Sequence, residues 1–183
     1  MDKDKLFIAK EFFNARIDQI GDWCVGDIRR CSRFKKDGTY EQGGALVGAF
    51  ILWVCALDYL GGLLTNSHND SRFRIISFLE KYINKARKDS KRYNAQEILD
   101  LRDGLVHSYC PNFLLVNSFD RKFHLARTGE RVFLVLEEVI EDMENAFKQF
   151  KNDLLSDDKM ILTAFDYYKK YPPVGPIKIE FTK

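Results

Sequence analysis

Apolar residues recur every three or four positions along most of this chain, which is the spacing of one face of an α-helix. The pattern predicts five main helices and a short last one, over 5–34, 45–64, 71–88, 94–108, 136–154 and 156–170. Gly21 and Gly26 lie where the first helix is expected to bend or break. Ser71 and Asn94 stand at predicted helix starts, where their side chains can accept hydrogen bonds from free backbone N–H groups.

The period changes between the fourth and fifth helices. Residues 113–116 form a short apolar run, residues 123–127 alternate, and a turn at 128–130 precedes a second apolar stretch at 131–135. Alternation and turn residues of this kind are typical of short strands. We therefore expect a small β-hairpin or three-stranded ribbon at about 113–135, inserted into a mainly α bundle of about five helices.

A chain of 183 residues is expected to form one domain, and we place it at residues 1–171. The segment 172–183 begins with two prolines and alternates apolar and polar residues at 177–181. This pattern predicts an extended C-terminal tail or an edge strand.

The segment 43–65 is apolar on all sides and carries Asp58 as its only charge. Its length suits a membrane span, but the acid and the lack of flanking basic residues favour a central core helix. The charged N-terminus does not resemble a signal peptide, and the four cysteines show neither C-x-x-C nor metal-ligand spacing. We expect a cytoplasmic protein with reduced, mostly buried thiols, no metal and no membrane partner.

The fourth helix carries an arginine, an acid and a histidine in an otherwise apolar stretch. At about 100° per residue, Arg102 falls near the middle of one apolar arc. The apolar residues of that arc are Ile98, Leu99, Leu101, Leu105, Val106 and Tyr109. An arginine on such a face is costly unless it is paired or faces a wet pocket, so a chemical role is expected.

Positions 102 and 107 do not share a face of a regular helix, because residues five apart differ by about 140° in direction. Either Gly104 or the helix end near Pro111 relaxes this geometry, or a second chain completes the site. An obligate dimer would account both for this separation and for Arg102 on an apolar face.

The run from Arg102 to His107 resembles the R-x4-H form of the motif of the HEPN superfamily. Tyr109, two residues after the histidine, resembles the H-x-Y ending of many members. The run 52–60 resembles the apolar helix with one acid that precedes the motif helix. Asp58 stands where that acid is often glutamate, and Asp103 stands where asparagine is common.

The resemblance implies a HEPN-like bundle that acts as a metal-independent endoribonuclease without a cofactor. Two chains would bring two Arg/His pairs into one cleft, where a ribose 2′-hydroxyl attacks the adjacent phosphate. Arg102 would hold the phosphate and His107 would transfer protons, with Asp103, Tyr109 and Asp58 in support. The implied setting is a toxin or phage-defence effector, with RNA as substrate and an antitoxin or a nucleotidyltransferase as partner.

Each of these residues has an alternative structural role. Arg102 could form an ion pair with Asp58 or another buried acid, and His107 could favour the helix C-terminus through the dipole. Asp103 could orient His107 or be a solvated partner four residues away. At the level of the whole chain, the alternatives are a non-catalytic HEPN-like dimer that binds nucleotide, RNA or a protein, and a plain structural helical domain.

Basic residues crowd the region just before the motif helix, although the net charge is only +2. A charged run of this kind is usually a solvated face, and its functional alternative is a phosphate-binding rim with Tyr82 and Tyr93 stacking bases. The residues of this basic cluster are Lys85, Arg87, Lys88, Lys91 and Arg92.

Overall fold

The computed structural model describes residues 3–32, 45–87, 89–107, 113–116 and 120–172, with the backbone alone for Val106 and His107. Helices dominate this part of the chain, and one small sheet lies between the fifth and sixth of them, which confirms the predicted fold class. The elements are α1 (Lys3–Gly21), α2 (Asp27–Ser32), α3 (Leu46–Thr65), α4 (Ser71–Phe78), α5 (Ala95–His107), β1 (Phe113–Val116), β2 (Arg127–Thr128), β3 (Arg131–Val135), α6 (Leu136–Ser156) and α7 (Asp158–Lys170).

Two of the helices contain a π-helical segment. The segment Asp22–Gly26 joins α1 to α2 without a break, and the segment Leu79–Asn84 continues α4. Of the bend or break predicted at Gly21 and Gly26, the break does not occur, since a π-helical segment continues the helix there. With these junctions, the described residues form six continuous helices, which correspond to the five main helices and the short last helix of the sequence prediction.

Side-chain caps fix two helix starts close to the predicted positions. Asp70, and not Ser71, caps α4, since its Oδ1 accepts a hydrogen bond of 2.8 Å from the backbone N–H of Phe73. Asn94 caps α5 as predicted, because its Oδ1 accepts from the N–H of Glu97 at 3.1 Å. Aspartate and serine are comparable as N-cap residues, and a carboxylate in addition interacts favourably with the helix dipole.

The sheet has three strands in the order β1-β3-β2. β1 runs parallel to β3 from Phe113↔Val132 to Val116↔Val135, and β2 pairs antiparallel with β3 through a turn in which Gly129 has φ of 58°. Of the alternating run 123–127, only Arg127 lies in a strand, because Arg121–Phe123 is a 3-10 helix and Leu125 has a positive φ. The three-stranded form of the prediction is the correct one.

α3 is the central element of the core and packs against α2, α4, α5 and α7. It is long and apolar enough to cross a membrane, the only such helix in the ranges that the structure describes. A core helix can have the same length and apolar composition, and about half of the residues of α3 are buried against the other helices. Its buried residues are Ala49, Phe50, Trp53, Val54, Ala56, Leu57, Leu60, Gly61, Gly62 and Leu63.

The three described cysteines are free thiols, in line with the expected reduced state. Cys24 is buried, and its burial raises the pKa of the thiol to about 12. Cys55 is exposed, so the expectation of mostly buried thiols is wrong at this position. Cys110 lies outside the described residues.

Close contact between α3 and α4 generates a stability prediction. A Cβ atom on Gly61 would stand 2.1 Å from the backbone oxygen of Arg74, so the two helices would have to separate. We expect Gly61→Ala to lower the free energy of unfolding by about 2 kcal/mol or more, as overpacking against backbone does. Chemical denaturation of the wild type and the variant measures this difference.

Gly48→Ala is the matched control on the same helix. Its Cβ would meet the sulfur of Cys31 at 3.0 Å, a side chain that can move, and alanine favours the helix by about 1 kcal/mol. We expect this variant to stay within about 1 kcal/mol of the wild type. Equal losses in both variants would contradict the tight α3–α4 contact.

Candidate functional site

Arg102 lies at the edge of the buried side of α5. Ile98, Leu99, Leu101 and Leu105 are buried, whereas the side chain of Arg102 is 35% exposed. The helical wheel placed Arg102 near the middle of the apolar arc, but the structure buries a narrower band. The guanidinium therefore reaches solvent instead of crossing the core.

The described partner of Arg102 is the next residue in the chain. Its Nη1 donates a 3.0 Å hydrogen bond to Oδ1 of Asp103, whose side chain is half exposed. An exposed ion pair of this kind contributes between about 0 and 1 kcal/mol to stability. Asp103 therefore orients the side chain of Arg102 in this structure, but the ion pair between them contributes little to stability.

Asp58 is not the partner of Arg102. Its carboxylate accepts two hydrogen bonds from Arg74, from Nε at 2.7 Å and from Nη2 at 3.0 Å. Nη1 of Arg74 donates to the backbone oxygens of Ser67 and His68, so this arginine joins α3, α4 and the loop between them. The hydrogen bond to Asp58 raises the pKa of Arg74 above its usual value. The alternative of an Arg102–Asp58 ion pair is wrong.

One side of α3 next to Arg102 is only partly covered. Ile51 and Leu52 are half-buried and Cys55 is exposed, and their spacing of three and four places them on one face of the helix. Burial raises the pKa of Cys55, and the charge of Arg102 opposes that rise. The guanidinium of Arg102 is therefore close enough to Cys55 to influence its thiol. We call Ile51, Leu52, Cys55 and Arg102 the α3–α5 face.

α5 remains helical through His107, so Gly104 does not break the helix between the two motif positions. Positions 102 and 107 therefore keep the separation of about 140° that a regular helix imposes. Of the three explanations offered by the sequence, relaxation at Gly104 is wrong. A rearrangement after His107 and completion by a second chain both remain. Tyr109 lies outside the described residues, as does the side chain of His107.

Much of the basic cluster is occupied by structural contacts. The side chain of Arg87 is only 5% exposed and forms hydrogen bonds with Asp89 and Asp142. Nζ of Lys91 donates to the backbone oxygens of Lys122 and His124, and Arg92 donates to the backbone oxygens of Asp89 and Lys91. Lys85 is exposed, and Lys88 lies outside the described residues. Arg87 and Lys91 therefore hold the chain together and do not form a solvated face.

Tyr82 and Tyr93 are buried, so neither can stack on a base as the sequence suggested. The hydroxyl of Tyr82 donates to Asp153 at 3.1 Å. The hydroxyl of Tyr93 donates to Asp142 at 2.7 Å. Both tyrosines are core residues with satisfied polar ends.

His124 lies in a buried polar network that no pattern in the sequence indicated. Nδ1 of His124 accepts a 3.1 Å hydrogen bond from the backbone N–H of Val135, which leaves the ring proton on Nε2. Nε2 then donates to the Tyr93 hydroxyl at 2.9 Å. Tyr93 and Arg87 meet at Asp142 on α6, so the network fixes the β insertion to the helices.

The chemistry available at the α3–α5 face is anion binding by a guanidinium. An arginine fork suits a phosphate, because it donates two parallel hydrogen bonds. Within the described ranges, no group of three or more His, Cys, Asp or Glu side chains is placed to hold a metal ion. The described residues that bear on the motif are thus Arg102, Asp103 and the adjoining surface of α3.

No protein-family model matches this chain, and no curated protein or solved structure matches it either. The comparisons therefore assign neither a family nor a function. The resemblance to HEPN proteins depends on the motif and on the helical architecture.

The network around His124 predicts an acid-sensitive fold. Burial, together with the charges of Arg87 and Lys91, lowers the pKa of His124 from 6.5 to about 3. The unfolded chain takes up a proton below pH 6.5 while the folded chain does not, so stability is lost as the pH falls from 6.5 toward 3. We expect the wild type to lose about 1 kcal/mol more per pH unit than His124→Gln between pH 6.5 and 4.5.

Denaturant unfolding of both proteins at several pH values measures this difference. The comparison with the variant is needed because burial raises the pKa of Asp142, which favours the folded state at low pH and acts in the opposite direction. Parallel stability curves for the two proteins would show that His124 does not stay neutral in the folded state.

Proposed function

We propose that this chain is a HEPN-type metal-independent endoribonuclease that acts as a homodimer. Arg102 holds the scissile phosphate, and His107 transfers protons as the ribose 2′-hydroxyl attacks it. The products are a 2′,3′-cyclic phosphate and a 5′-hydroxyl end. The setting we propose is a toxin or phage-defence effector, with an antitoxin or a nucleotidyltransferase as partner.

The observation that carries this proposal is the accessibility of Arg102. Its guanidinium reaches solvent at the edge of α5, and its described hydrogen bond goes to an exposed acid in an adjacent position. A purely structural arginine would resemble Arg74 or Arg87, each of which makes several hydrogen bonds in a buried setting. Among these three arginines, Arg102 has the contacts expected of a residue that receives a ligand.

The α3–α5 face supports the two-chain part of the proposal. Ile51 and Leu52 are half-buried, and the exposed Cys55 lies beside them. A two-fold axis near this face would bury these apolar side chains and place two copies of Arg102 in one cleft. It would also bring in a second motif helix. Positions 102 and 107 point in different directions on one helix, so a second helix could complete the Arg/His pair.

A second candidate function is a non-catalytic dimer that binds nucleotide, RNA or a protein partner. It is favoured by the ion pair between Arg102 and Asp103, and by the commitment of Asp58 to Arg74. In these contacts Asp103 and Asp58 are bound to arginines, so they are less able to support catalysis by Arg102 and His107. The same face would then bind an anion without cleaving it.

The catalytic proposal predicts that Arg102→Ala and His107→Ala each abolish RNA cleavage, measured with EDTA present. Loss of the proton-transferring histidine typically costs 10²–10⁴-fold, and loss of a phosphate-binding donor costs about 10²–10³-fold. We expect the melting temperature of Arg102→Ala to be nearly unchanged, because the ion pair that it removes is exposed.

Arg131→Ala is the matched control for this experiment, since Arg131 is exposed and lies on β3. We expect this variant to cleave RNA at the wild-type rate. Wild-type protein that binds RNA without cleaving it would support the binding function and contradict the catalytic one. Cleavage that requires a divalent ion would contradict the HEPN mechanism.

The homodimer predicts a defined effect at the α3–α5 face. We expect sedimentation of the wild type at twice the chain mass of 21.4 kDa. Cys55→Glu should shift it to the monomer, because two buried carboxylates would face each other across the interface. Asn145→Glu, at an exposed position on α6, is the control and should remain dimeric. A dimer unaffected by Cys55→Glu would place the interface elsewhere.

A further inference from the structure

A groove of about 420 Å³ lies between α6 and the helix that contains α1, the segment Asp22–Gly26 and α2. We call it the α1–α6 groove. Its volume falls within the range of small-molecule sites. α5 and the α3–α5 face contribute no residue to it, so it is separate from the site proposed above.

The apolar floor of this groove is formed around a glycine. A Cβ atom on Gly21 would stand 2.4 Å from the ring of Phe147, so the ring lies directly on the helix backbone at this position. Val25 and Gly26, on the following π-helical segment, also line the groove. Segments of π-helix occur often at functional sites, and here the segment forms one wall of the groove.

Arg29 projects from α2 into the groove, and only one of its three guanidinium nitrogens donates a hydrogen bond to the described residues. Its Nε donates a 2.6 Å hydrogen bond to Oε1 of Glu144 on α6, and its side chain is 20% exposed. Within the described residues, its Nη1 and Nη2 form no hydrogen bond. The carboxylate thus orients the guanidinium and leaves the two terminal nitrogens for a ligand. Such a fork matches the oxygens of a phosphate.

The charged side chains that line the groove balance in number, with Arg29, Lys148 and Lys151 against Asp18, Asp22 and Glu144. The three lining acids are each engaged, Asp18 by Lys151, Asp22 by Arg30 and Glu144 by Arg29. Lys148 also lines the groove, is exposed and has no ion-pair partner among the described residues. An anion between Arg29 and Lys148 would therefore meet one unpaired cation and one oriented fork, while each lining acid is paired with a cation, Arg30 being shared between Asp22 and Asp27.

We propose that the α1–α6 groove binds a small phosphomonoester that carries a flat apolar group. Nη1 and Nη2 of Arg29 donate to the phosphate oxygens, and Lys148 supplies an unpaired positive charge to the same phosphate. The apolar group lies against the ring of Phe147. This inference does not depend on the proposed ribonuclease activity, because none of its residues belongs to the R-x4-H motif.

Calorimetric titration with phenyl phosphate, inorganic phosphate and phenol tests the proposal. We expect phenyl phosphate to bind with a Kd of about 1 mM or below, inorganic phosphate more weakly, and phenol not measurably. The backbone amide resonances of Gly21 and Gly26 should shift on binding in an NMR titration. Absence of phenyl phosphate binding up to about 10 mM, or shifts confined to α5, would overturn the assignment.

Three variants test the residues. Lys148→Gln should weaken phenyl phosphate binding about fivefold, and Arg29→Lys should weaken it about tenfold or more, since lysine keeps the charge but loses the fork. Lys159→Gln, at an exposed position on α7, is the control and should bind as the wild type does. Lys148 is exposed and unpaired, so its variant should melt with the wild type. Unchanged affinity in Lys148→Gln and Arg29→Lys would overturn the proposal.

Discussion

The rest of the structure depends on the close approach of α3 and α4 at Gly61. The backbone of Arg74 occupies the space that a side chain at position 61 would fill. This contact places the Arg74 guanidinium within reach of Asp58, the only charge in an otherwise apolar helix. Removing one partner from a buried pair strands the other and typically costs about 3–5 kcal/mol, and the cost is smaller here because the Asp58 side chain is 30% exposed. A glycine and an ion pair together therefore hold α4 on α3.

This pairing has a consequence for the motif helix. Because Asp58 is committed to Arg74, the guanidinium of Arg102 is left with Asp103 and with solvent. The sequence did not indicate which of Arg74 and Arg102 pairs with Asp58, and the structure gives the two arginines different roles. Arg74 neutralises the acid of α3, and Arg102 stays accessible on the neighbouring helix.

The sequence predicted the helices well, because each one carries a long apolar period that the core then buries. It failed where a few residues decide the outcome. At residues 123–127, an alternating pattern gave way to a 3-10 helix and a positive φ at Leu125, neither of which follows from alternation. The wheel placed Arg102 in the middle of a buried arc, because a wheel contains no information on how much of a helix its neighbours cover.

Charge was the least predictable property of this chain. Arg87 and Lys91 looked like members of a solvated run, yet the acids that bind Arg87 and the carbonyls that bind Lys91 come partly from 31–55 residues further along. No local spacing rule reaches that far. Arg29 belongs to a second basic group in the sequence, with Arg30, Arg33, Lys35 and Lys36, and it lies in a groove facing α6.

This redistribution of charge also bears on how RNA would be held. A basic rim gives many phosphate contacts and a steep dependence of affinity on salt. Arg87 is buried and Lys91 is bonded to backbone oxygens, so these two residues of the basic cluster are not available for such a rim. In the proposed dimer, RNA binding would then depend less on this cluster and more on contacts centred on the two copies of Arg102. The rate of such a proposed ribonuclease would depend mainly on how well its side chains are positioned at the scissile phosphate, and little on how tightly it binds the rest of the RNA strand.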